Sequence, residues 1–122
     1  MDGRVHVISS KSQFDGLLQD AASKAQTVAV DFSATWCQPC KMMAPVFRNL
    51  AEQYPDVVFL KVEVDMNEAL AAEYAVTAMP TFAIIQEGQR VGEVIGADKN
   101  KLTDLIARWS SHGQQAQQPA RV

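Results

Sequence analysis

The sequence predicts a single α/β domain, built on a central mixed β-sheet of about five strands flanked by four helices. Strand-length segments rich in β-branched residues alternate with helical apolar stripes along the first half of the chain. A strand hairpin and a last helix follow, which makes part of the sheet antiparallel and places helices on both faces. With 122 residues, of which 48% are hydrophobic, the chain is long enough to form one core.

The first half of the chain supplies three of the predicted strands. Residues 3–8 predict a short strand, and Ser10 to Gln13 has the spacing of a capping box that starts the first helix. Thr27 to Ser33 is almost continuously apolar and β-branched, which is typical of a central strand covered on both faces. The stripe of apolar residues from Lys41 to Tyr54 predicts the second helix, and Val57 to Val64 predicts another buried strand.

The second half predicts a helix, a hairpin and a final helix. Asn67 to Tyr74, rich in Ala and Glu, predicts a short third helix. Thr81 to Ile85 and Val91 to Ile95 predict two strands joined by the turn Gln86 to Gln89, in which a glycine is available for positive φ. Asp98 is expected to cap the last helix.

The domain is predicted to occupy residues 1–110, and residues 111–122 are predicted to form a tail. The tail loses the helical periodicity and contains four Gln, together with Gly113 and Pro119. This composition predicts disorder, because the segment offers no apolar face for packing.

The charge and the hydropathy pattern exclude several classes of partner. The formal net charge is −3 and no two Lys or Arg residues are adjacent, which argues against nucleic acid and against an anionic membrane surface. No apolar run approaches the roughly 18 residues of a membrane span, and the N-terminus lacks the pattern of a signal peptide. We therefore expect a protein of a reducing compartment, the cytoplasm. The protein is also expected to be a monomer.

The segment Trp36-Cys37-Gln38-Pro39-Cys40 contains the only two cysteines of the chain. It lies between a predicted strand and a predicted helix, so both sulfurs are expected in the first helical turn, where they can form a disulfide. The helix dipole and the unpaired backbone N–H groups at this end favour thiolate over thiol. Because a domain of this size needs no disulfide for stability, the pair is predicted to be redox active.

The order of the two cysteines predicts their roles. Cys37, nearest the helix N-terminus, is expected to be the nucleophile. Cys40, one turn deeper, is expected to be more buried and protonated, and to resolve a mixed disulfide by attacking Cys37. Three alternatives remain: two buried structural thiols, a zinc site, or an iron–sulfur cluster shared between two chains. The histidines, His6 and His112, do not have the spacing of zinc ligands.

Asp31 interrupts the most hydrophobic predicted strand, between Val30 and Phe32. A carboxyl group desolvated there is expected to have a raised pKa. Six residues before Cys37, it is placed to lie beneath the dithiol and to exchange a proton with Cys40 during resolution. The alternative is an aspartate exposed to solvent at the end of the strand.

Several motifs at matching distances resemble the thioredoxin family from Val5 to Trp109. The matching segments are Val30 to Cys37, Pro39 to Met42, Pro45, Met79 to Phe82, and Gly96-Ala97. The resemblance implies a thioredoxin fold and a protein that reduces protein disulfides through Cys37 and Cys40. It also implies that no cofactor is bound, and that NADPH supplies the reducing equivalents through a separate thioredoxin reductase.

The resemblance also assigns roles around the cysteines. It implies that Lys61 pairs with Asp31, and that the Met79-Pro80 bond is cis, with the backbone before the proline pairing with an extended substrate. The expected substrate-facing residues are Trp36, Gln38, Pro39, Met79, Pro80, Ile95, Gly96 and Ala97. For Trp36 and Ile95, the alternative is a place in the hydrophobic core.

One departure from the family pattern affects the predicted function. Thioredoxins usually have Gly-Pro between the two cysteines, and this chain has Gln38-Pro39. Residues at these positions tune the stability of the thiolate and therefore the reduction potential, so a shift of undetermined sign is expected. A disulfide isomerase or oxidase of the same fold, or a redox-gated protein-binding module, therefore remains as an alternative function.

Overall fold

The computed structural model describes residues 3–111, and within them it contains five β-strands and four α-helices. The strands are β1 (Val5–Val7), β2 (Thr27–Ser33), β3 (Val58–Glu63), β4 (Thr81–Gln86) and β5 (Gln89–Ile95). The helices are α1 (Lys11–Ser23), α2 (Gln38–Gln53), α3 (Glu68–Glu73) and α4 (Lys99–Trp109). A short 3-10 helix, Val64–Met66, joins β3 to α3. The predicted α/β class is confirmed.

The five strands form one mixed sheet in the order β1-β3-β2-β4-β5. Strands β1, β3 and β2 are parallel, whereas β4 and β5 run antiparallel to their neighbours. The end of β2 therefore meets the end of β3, the start of β4 and the end of β5 at one edge of the sheet. This edge, called the β2 carboxyl edge below, is marked by the paired row Val62, Phe32, Thr81 and Ile95.

The hydrophobic core lies on both faces of the sheet. On the face covered by α2 and α4, the largest buried side chains are Phe47, Phe59, Phe82, Ile84, Leu102 and Ile106. On the face covered by α1 and α3, they are Phe14, Phe32, Leu60 and Ile85. Every residue of β2 is buried, as the continuous apolar pattern of Thr27 to Ser33 predicted.

The structure corrects several predicted boundaries, among them the start of β5, which is Gln89 and not Val91. Strand β1 is limited to three residues, Val5–Val7, and Val64 belongs to the 3-10 helix instead of β3. The last pair between β2 and β3 joins Ser33 to Glu63, so Val64 has no β2 partner to extend the strand. Helix α2 begins at Gln38, ahead of the apolar stripe from Lys41, and Cys37 caps it, so the two cysteines lie at the start of the helix as predicted. The hairpin turn has positive φ at Glu87 (51°) and at Gly88 (79°), as in a type I′ turn.

Of the predicted tail, the structure describes only Ser111. Its backbone N–H donates to Oδ2 of Asp56 at 2.6 Å, and residues 112–122 lie outside the described part of the chain. None of the helices within residues 3–111 combines the length and the apolar character that a membrane span requires.

Candidate active site

The two cysteines lie where the loop after β2 enters α2. Cys37 is the N-cap of the helix and Cys40 its third residue, and the two are joined by a disulfide with a Cα–Cα distance of 5.2 Å. The backbone N–H of Cys40 donates to Sγ of Cys37 at 3.2 Å. This is the geometry of a capping side chain, so a charged sulfur at this position receives a hydrogen bond and the favourable end of the helix dipole.

Local backbone contacts explain why the chain turns into a helix here. The N–H of Cys37 donates to the carbonyl of Ala34 at 3.2 Å, and the N–H of Lys41 donates to the carbonyl of Cys37 at 3.2 Å. Pro39 lies in the first helical turn, where its missing N–H costs no intrahelical hydrogen bond. These features hold the sulfurs at the β2 carboxyl edge.

The two cysteines are buried to nearly the same extent in the disulfide form. Cys37 is 6% exposed and Cys40 is 5% exposed, so the expected difference in burial between them is nearly absent. Both form a small cluster with Ala34, against which Val64 and Met79 pack. This cover from neighbouring segments was not visible in the spacing of the cysteines along the helix.

The segment before β4 lies directly against the first sulfur. The Met79-Pro80 peptide bond is cis, and the carbonyl oxygen of Met79 is 3.6 Å from Sγ of Cys37. The carbonyl of Pro80 accepts the N–H of Gly96 at 2.8 Å. Gly96 has a φ of +98°, a conformation that favours glycine. The structure therefore brings together three predicted site segments that are distant in the sequence.

Most of the predicted substrate-facing side chains lie at the surface around this edge. Trp36 is 65% exposed and Ile95 is 57% exposed, so the alternative that they belong to the core is wrong. Gln38, Pro39 and Ala97 are exposed as well, Met79 and Gly96 are half-buried, and Pro80 is buried. An apolar, solvent-accessible surface therefore borders the disulfide.

Asp31 lies inside the molecule, on the face of the sheet that α2 covers. Side chains alternate along β2, and Ala29, two residues earlier, belongs to the core cluster on that face. Asp31 is 2% exposed, so the alternative of a solvent-exposed aspartate is wrong. Within the described residues, its Oδ1 has no hydrogen-bond partner. Burial raises the pKa of Asp31 to about 7, and the ammonium group of Lys61, its β-sheet partner, acts in the opposite direction.

A narrow crevice of about 10 Å³ leads to Asp31 from the surface. Besides Asp31, it is lined by Val5, Ala44, Phe47, Arg48 and Lys61. This volume is close to the minimum needed for one water molecule. Asp31 is therefore buried but lies at the wall of a polar opening between β3 and α2.

Two acidic residues in the site were not found by the sequence analysis. Oε1 of Glu63 accepts the backbone N–H of Thr35 at 3.0 Å, and Oδ2 of Asp65 accepts the indole Nε1–H of Trp36 at 2.8 Å. These contacts could have been predicted from the sequence. Because parallel strands end at the same edge of the sheet, polar residues at the end of β3 lie near the loop after β2.

Within residues 3–111, no group of three His, Cys, Asp or Glu side chains is placed to hold a metal ion. His6 is exposed on β1, and His112 lies outside the described residues.

The arrangement defines a class of protein. A central strand delivers two cysteines to a helix N-terminus, and their disulfide lies beside an apolar surface, which is the arrangement of a thiol–disulfide oxidoreductase. A family model described as Thioredoxin matches residues 5–108. The chain therefore belongs to the thioredoxin family.

Individual relatives support this assignment. The thioredoxin of Bos taurus is 52% identical over 102 residues, which cover 84% of this chain and 95% of that protein. The H-type thioredoxin of Chlamydomonas reinhardtii is 43% identical over 112 residues, covering 91% of this chain and 99% of that protein. Among solved structures, thioredoxin NaTrxh from Nicotiana alata has a TM-score of 0.85 at 37% identity, covering 89% of this chain and 95% of that one.

Family membership and the bonded cysteine pair together establish the reaction. The chain is a thiol–disulfide oxidoreductase and acts as a protein-disulfide reductase, with disulfide-containing proteins as its class of substrate. Thioredoxins perform this reaction without a bound cofactor.

Proposed function

We propose that Cys37 is the nucleophile and Cys40 the resolving thiol. The thiolate of Cys37 attacks a substrate disulfide, so that a mixed disulfide forms and one substrate sulfur leaves as a thiolate. The sulfur of Cys40 then attacks Sγ of Cys37, which closes the intramolecular disulfide and releases the second substrate sulfur. One substrate disulfide is thereby reduced to two thiols, while the two thiols of the protein are oxidised to a disulfide.

The capping geometry of Cys37 is the observation that carries this order. Its Sγ accepts the N–H of Cys40 and lies at the positive end of the α2 dipole, which favours its thiolate. The residues on either side of it, Trp36 and Gln38, are exposed, so a substrate disulfide can approach from the surface. Cys40 is the third residue of the helix and supplies the N–H that caps Cys37.

Asp31 is proposed to accept the proton of Cys40 during resolution. Ala44 and Phe47 line the crevice beside Asp31, and Cys40 is one helical turn before Ala44 on the same face of α2. A carboxyl group whose pKa is about 7 can take a proton from a thiol and lose it again near neutral pH. Lys61 is proposed to assist by favouring the ionised form of this carboxyl group.

The crevice gives this proton a route to solvent. Its volume of about 10 Å³ is close to the minimum that holds one water molecule, and Asp31 forms part of its wall. Arg48 and Lys61 also line it, so the passage carries positive charge, which favours release of the proton from Asp31 to solvent.

The surface around the disulfide is proposed to bind an extended segment of the substrate protein. The Met79 carbonyl presents a backbone group next to the reacting sulfur, and the left-handed turn at Gly96 is joined to this segment by its hydrogen bond to Pro80. The remaining contacts are assigned to the exposed Trp36, Gln38, Pro39, Ile95 and Ala97, whereas Pro80, which was also predicted to face the substrate, is buried. The substrate segment is held by backbone pairing and apolar contact, which suits proteins of unrelated sequence.

Replacing Trp36 with alanine is expected to lower kcat/KM for a disulfide-bonded protein substrate by about tenfold, mainly through KM, because an exposed aromatic contact is lost. Steady-state kinetics of the purified variant measure this effect. The matched control is Val7→Ala, which shortens an exposed apolar side chain on the edge strand β1. Equal kcat/KM values for Trp36→Ala and Val7→Ala would show that Trp36 does not contact the substrate.

The protein is proposed to act as a cytoplasmic monomer that an NADPH-linked thioredoxin reductase returns to the dithiol form. Both cysteines of the chain are used in the redox site, which is typical of proteins from reducing compartments. The similarity to H-type thioredoxins from a green alga and from rice supports this setting. Consumption of NADPH in the presence of a thioredoxin reductase and this protein tests the recharging step, and its absence would contradict it.

A further inference from the structure

Glu63 lies between the loop that carries Cys37 and the buried Asp31. It is the last residue of β3, is half-buried, and pairs with Ser33, the last residue of β2. Its Oε1 accepts the backbone N–H of Thr35, two residues before Cys37, at 3.0 Å. A hydrogen bond from a backbone amide to a carboxylate is stronger than one between neutral groups. Glu63 therefore fixes the backbone immediately ahead of the nucleophile.

The same carboxylate acts on Asp31. Lys61 and Glu63 are two residues apart on β3, so both side chains point to the face of the sheet that carries Asp31. The charge of Glu63 raises the pKa of Asp31 and the charge of Lys61 lowers it, while burial makes the largest contribution. From α2, Arg48 lines the crevice beside Asp31, and Cys40 lies one turn before that segment.

We propose that Glu63 is a positioning residue for disulfide reduction, whose carboxylate fixes the loop that presents Cys37 by binding the N–H of Thr35. The negative charge of the same carboxylate also acts on Asp31, so the group that orders this loop also influences the protonation of Asp31. The second part of this proposal rests on the proposed function, in which Asp31 accepts the proton of Cys40. Nothing in the sequence motif around the cysteines identifies Glu63, because its place depends on the register of β3 against β2.

Two substitutions separate the hydrogen bond from the charge. Glu63→Gln keeps a carbonyl oxygen that accepts the Thr35 N–H and removes the charge, whereas Glu63→Ala removes both. Glu68→Gln, an exposed carboxylate at the start of α3, is the control for the change in net charge. For each variant, we would measure hydrogen exchange of the Thr35 amide by NMR, titration of the Asp31 carboxyl carbon, and the pH profile of the resolution step.

The expected results differ between the variants. Glu63→Ala is expected to accelerate exchange of the Thr35 amide at least severalfold, whereas Glu63→Gln leaves most of its protection in place. In both variants, the titration of Asp31 and the inflection of the pH profile move to lower pH, since a neighbouring negative charge is gone. Glu68→Gln is expected to match the wild-type protein in all three measurements.

Other results would overturn the proposal. If Thr35 exchanges at the wild-type rate in Glu63→Ala, Glu63 does not fix the loop. If the Asp31 carbon titrates in Glu63→Gln as it does in Glu68→Gln, the charge coupling is wrong. Failure of the proposed function looks different: the carbon titration of Asp31 still shifts in Glu63→Gln, but the pH profile stays the same because Asp31 does not accept the proton.

Discussion

Replacing Cys40 with serine is expected to trap the protein as a mixed disulfide with its substrate. Cys37 keeps its place at the N-terminus of α2 and attacks as before, but no second thiol is present to release it. Multiple turnover is expected to fall by roughly a thousandfold or more, on the scale observed when an essential nucleophile is removed. Non-reducing electrophoresis and mass spectrometry would detect the covalent adduct through Cys37.

The matched control for this trap is Cys37→Ser. This variant is expected to lose turnover as well, but to form no adduct, because the remaining thiol lacks the capping position that favours the thiolate of Cys37. The reverse outcome, an adduct through Cys40 in Cys37→Ser and none in Cys40→Ser, would contradict the order of the two thiols proposed here.

Replacing Asp31 with asparagine is expected to change both the stability of the protein and the pH dependence of its reaction. In the unfolded chain, Asp31 loses its proton near pH 3.8, but in the folded protein its pKa is about 7. Between these values, the unfolded state is ionised while the folded state keeps the proton, so the free energy of unfolding falls as the pH rises. A pKa shift of this size lowers the free energy of unfolding by on the order of 4 kcal/mol, and this loss is complete above the pKa of Asp31 in the folded protein.

Urea denaturation of the disulfide form at pH 4 and pH 8 measures this effect. The free energy of unfolding of Asp31→Asn relative to the wild-type protein is expected to increase by about 4 kcal/mol between the two pH values, because asparagine does not ionise. Asp104→Asn, at an exposed position on α4, is the control and is expected to give no such increase. If the free energies of unfolding of Asp31→Asn and the wild-type protein differed by the same amount at pH 4 and at pH 8, Asp31 would have an ordinary pKa.

The same variant tests the catalytic role of Asp31. Asp31→Asn is expected to slow disulfide reduction and to flatten its pH dependence near neutrality, because the proton acceptor for Cys40 is lost. Stopped-flow measurement of the resolution step over a range of pH provides the profile. If rate and profile match those of the wild-type protein, Asp31 is a buried charge without a role in proton transfer.

The fold was predictable from the sequence where burial controls the residue pattern. Strand β2 was predicted with correct bounds, since all its residues are buried and the apolar run is interrupted only by Asp31. The N-cap of α4 was predicted as well, and Oδ1 of Asp98 accepts the N–H of Lys101 at 3.0 Å. In both cases, the physical cause lies within one short segment of the chain.

The parts that escaped prediction depend on contacts between segments. The end of β3 is set by where β2 ends, so Val64 was assigned to a strand that has no further partner. The contacts of Glu63 with Thr35 and of Asp65 with Trp36 join residues 28 and 29 positions apart in the chain. The hydrophobic periodicity within one segment does not predict such pairs. The cis Met79-Pro80 bond, which was expected only from the family resemblance, is present in the structure.

This chain has Gln38 at the position between the cysteines where thioredoxins usually have glycine. Of the features of the site, this residue most directly affects the type of redox reaction. Gln38 is the first residue of α2 and is exposed beside both sulfurs. It can change the stability of the thiolate and the contact with a substrate, but the hydrogen bond that Sγ of Cys37 accepts comes from the backbone N–H of Cys40 and not from this side chain. We therefore expect its effect on the reduction potential to be modest.

The equilibrium reduction potential of the Cys37–Cys40 pair tests the central claim most directly. It can be determined from the fluorescence of Trp36, adjacent to the disulfide, in buffers of defined dithiothreitol or glutathione ratio. A reversible two-electron couple near the known value for thioredoxin, about −270 mV, is the result expected of a general protein-disulfide reductase. A value near that of protein disulfide isomerase, about −180 mV, or the absence of a reversible couple would contradict the account.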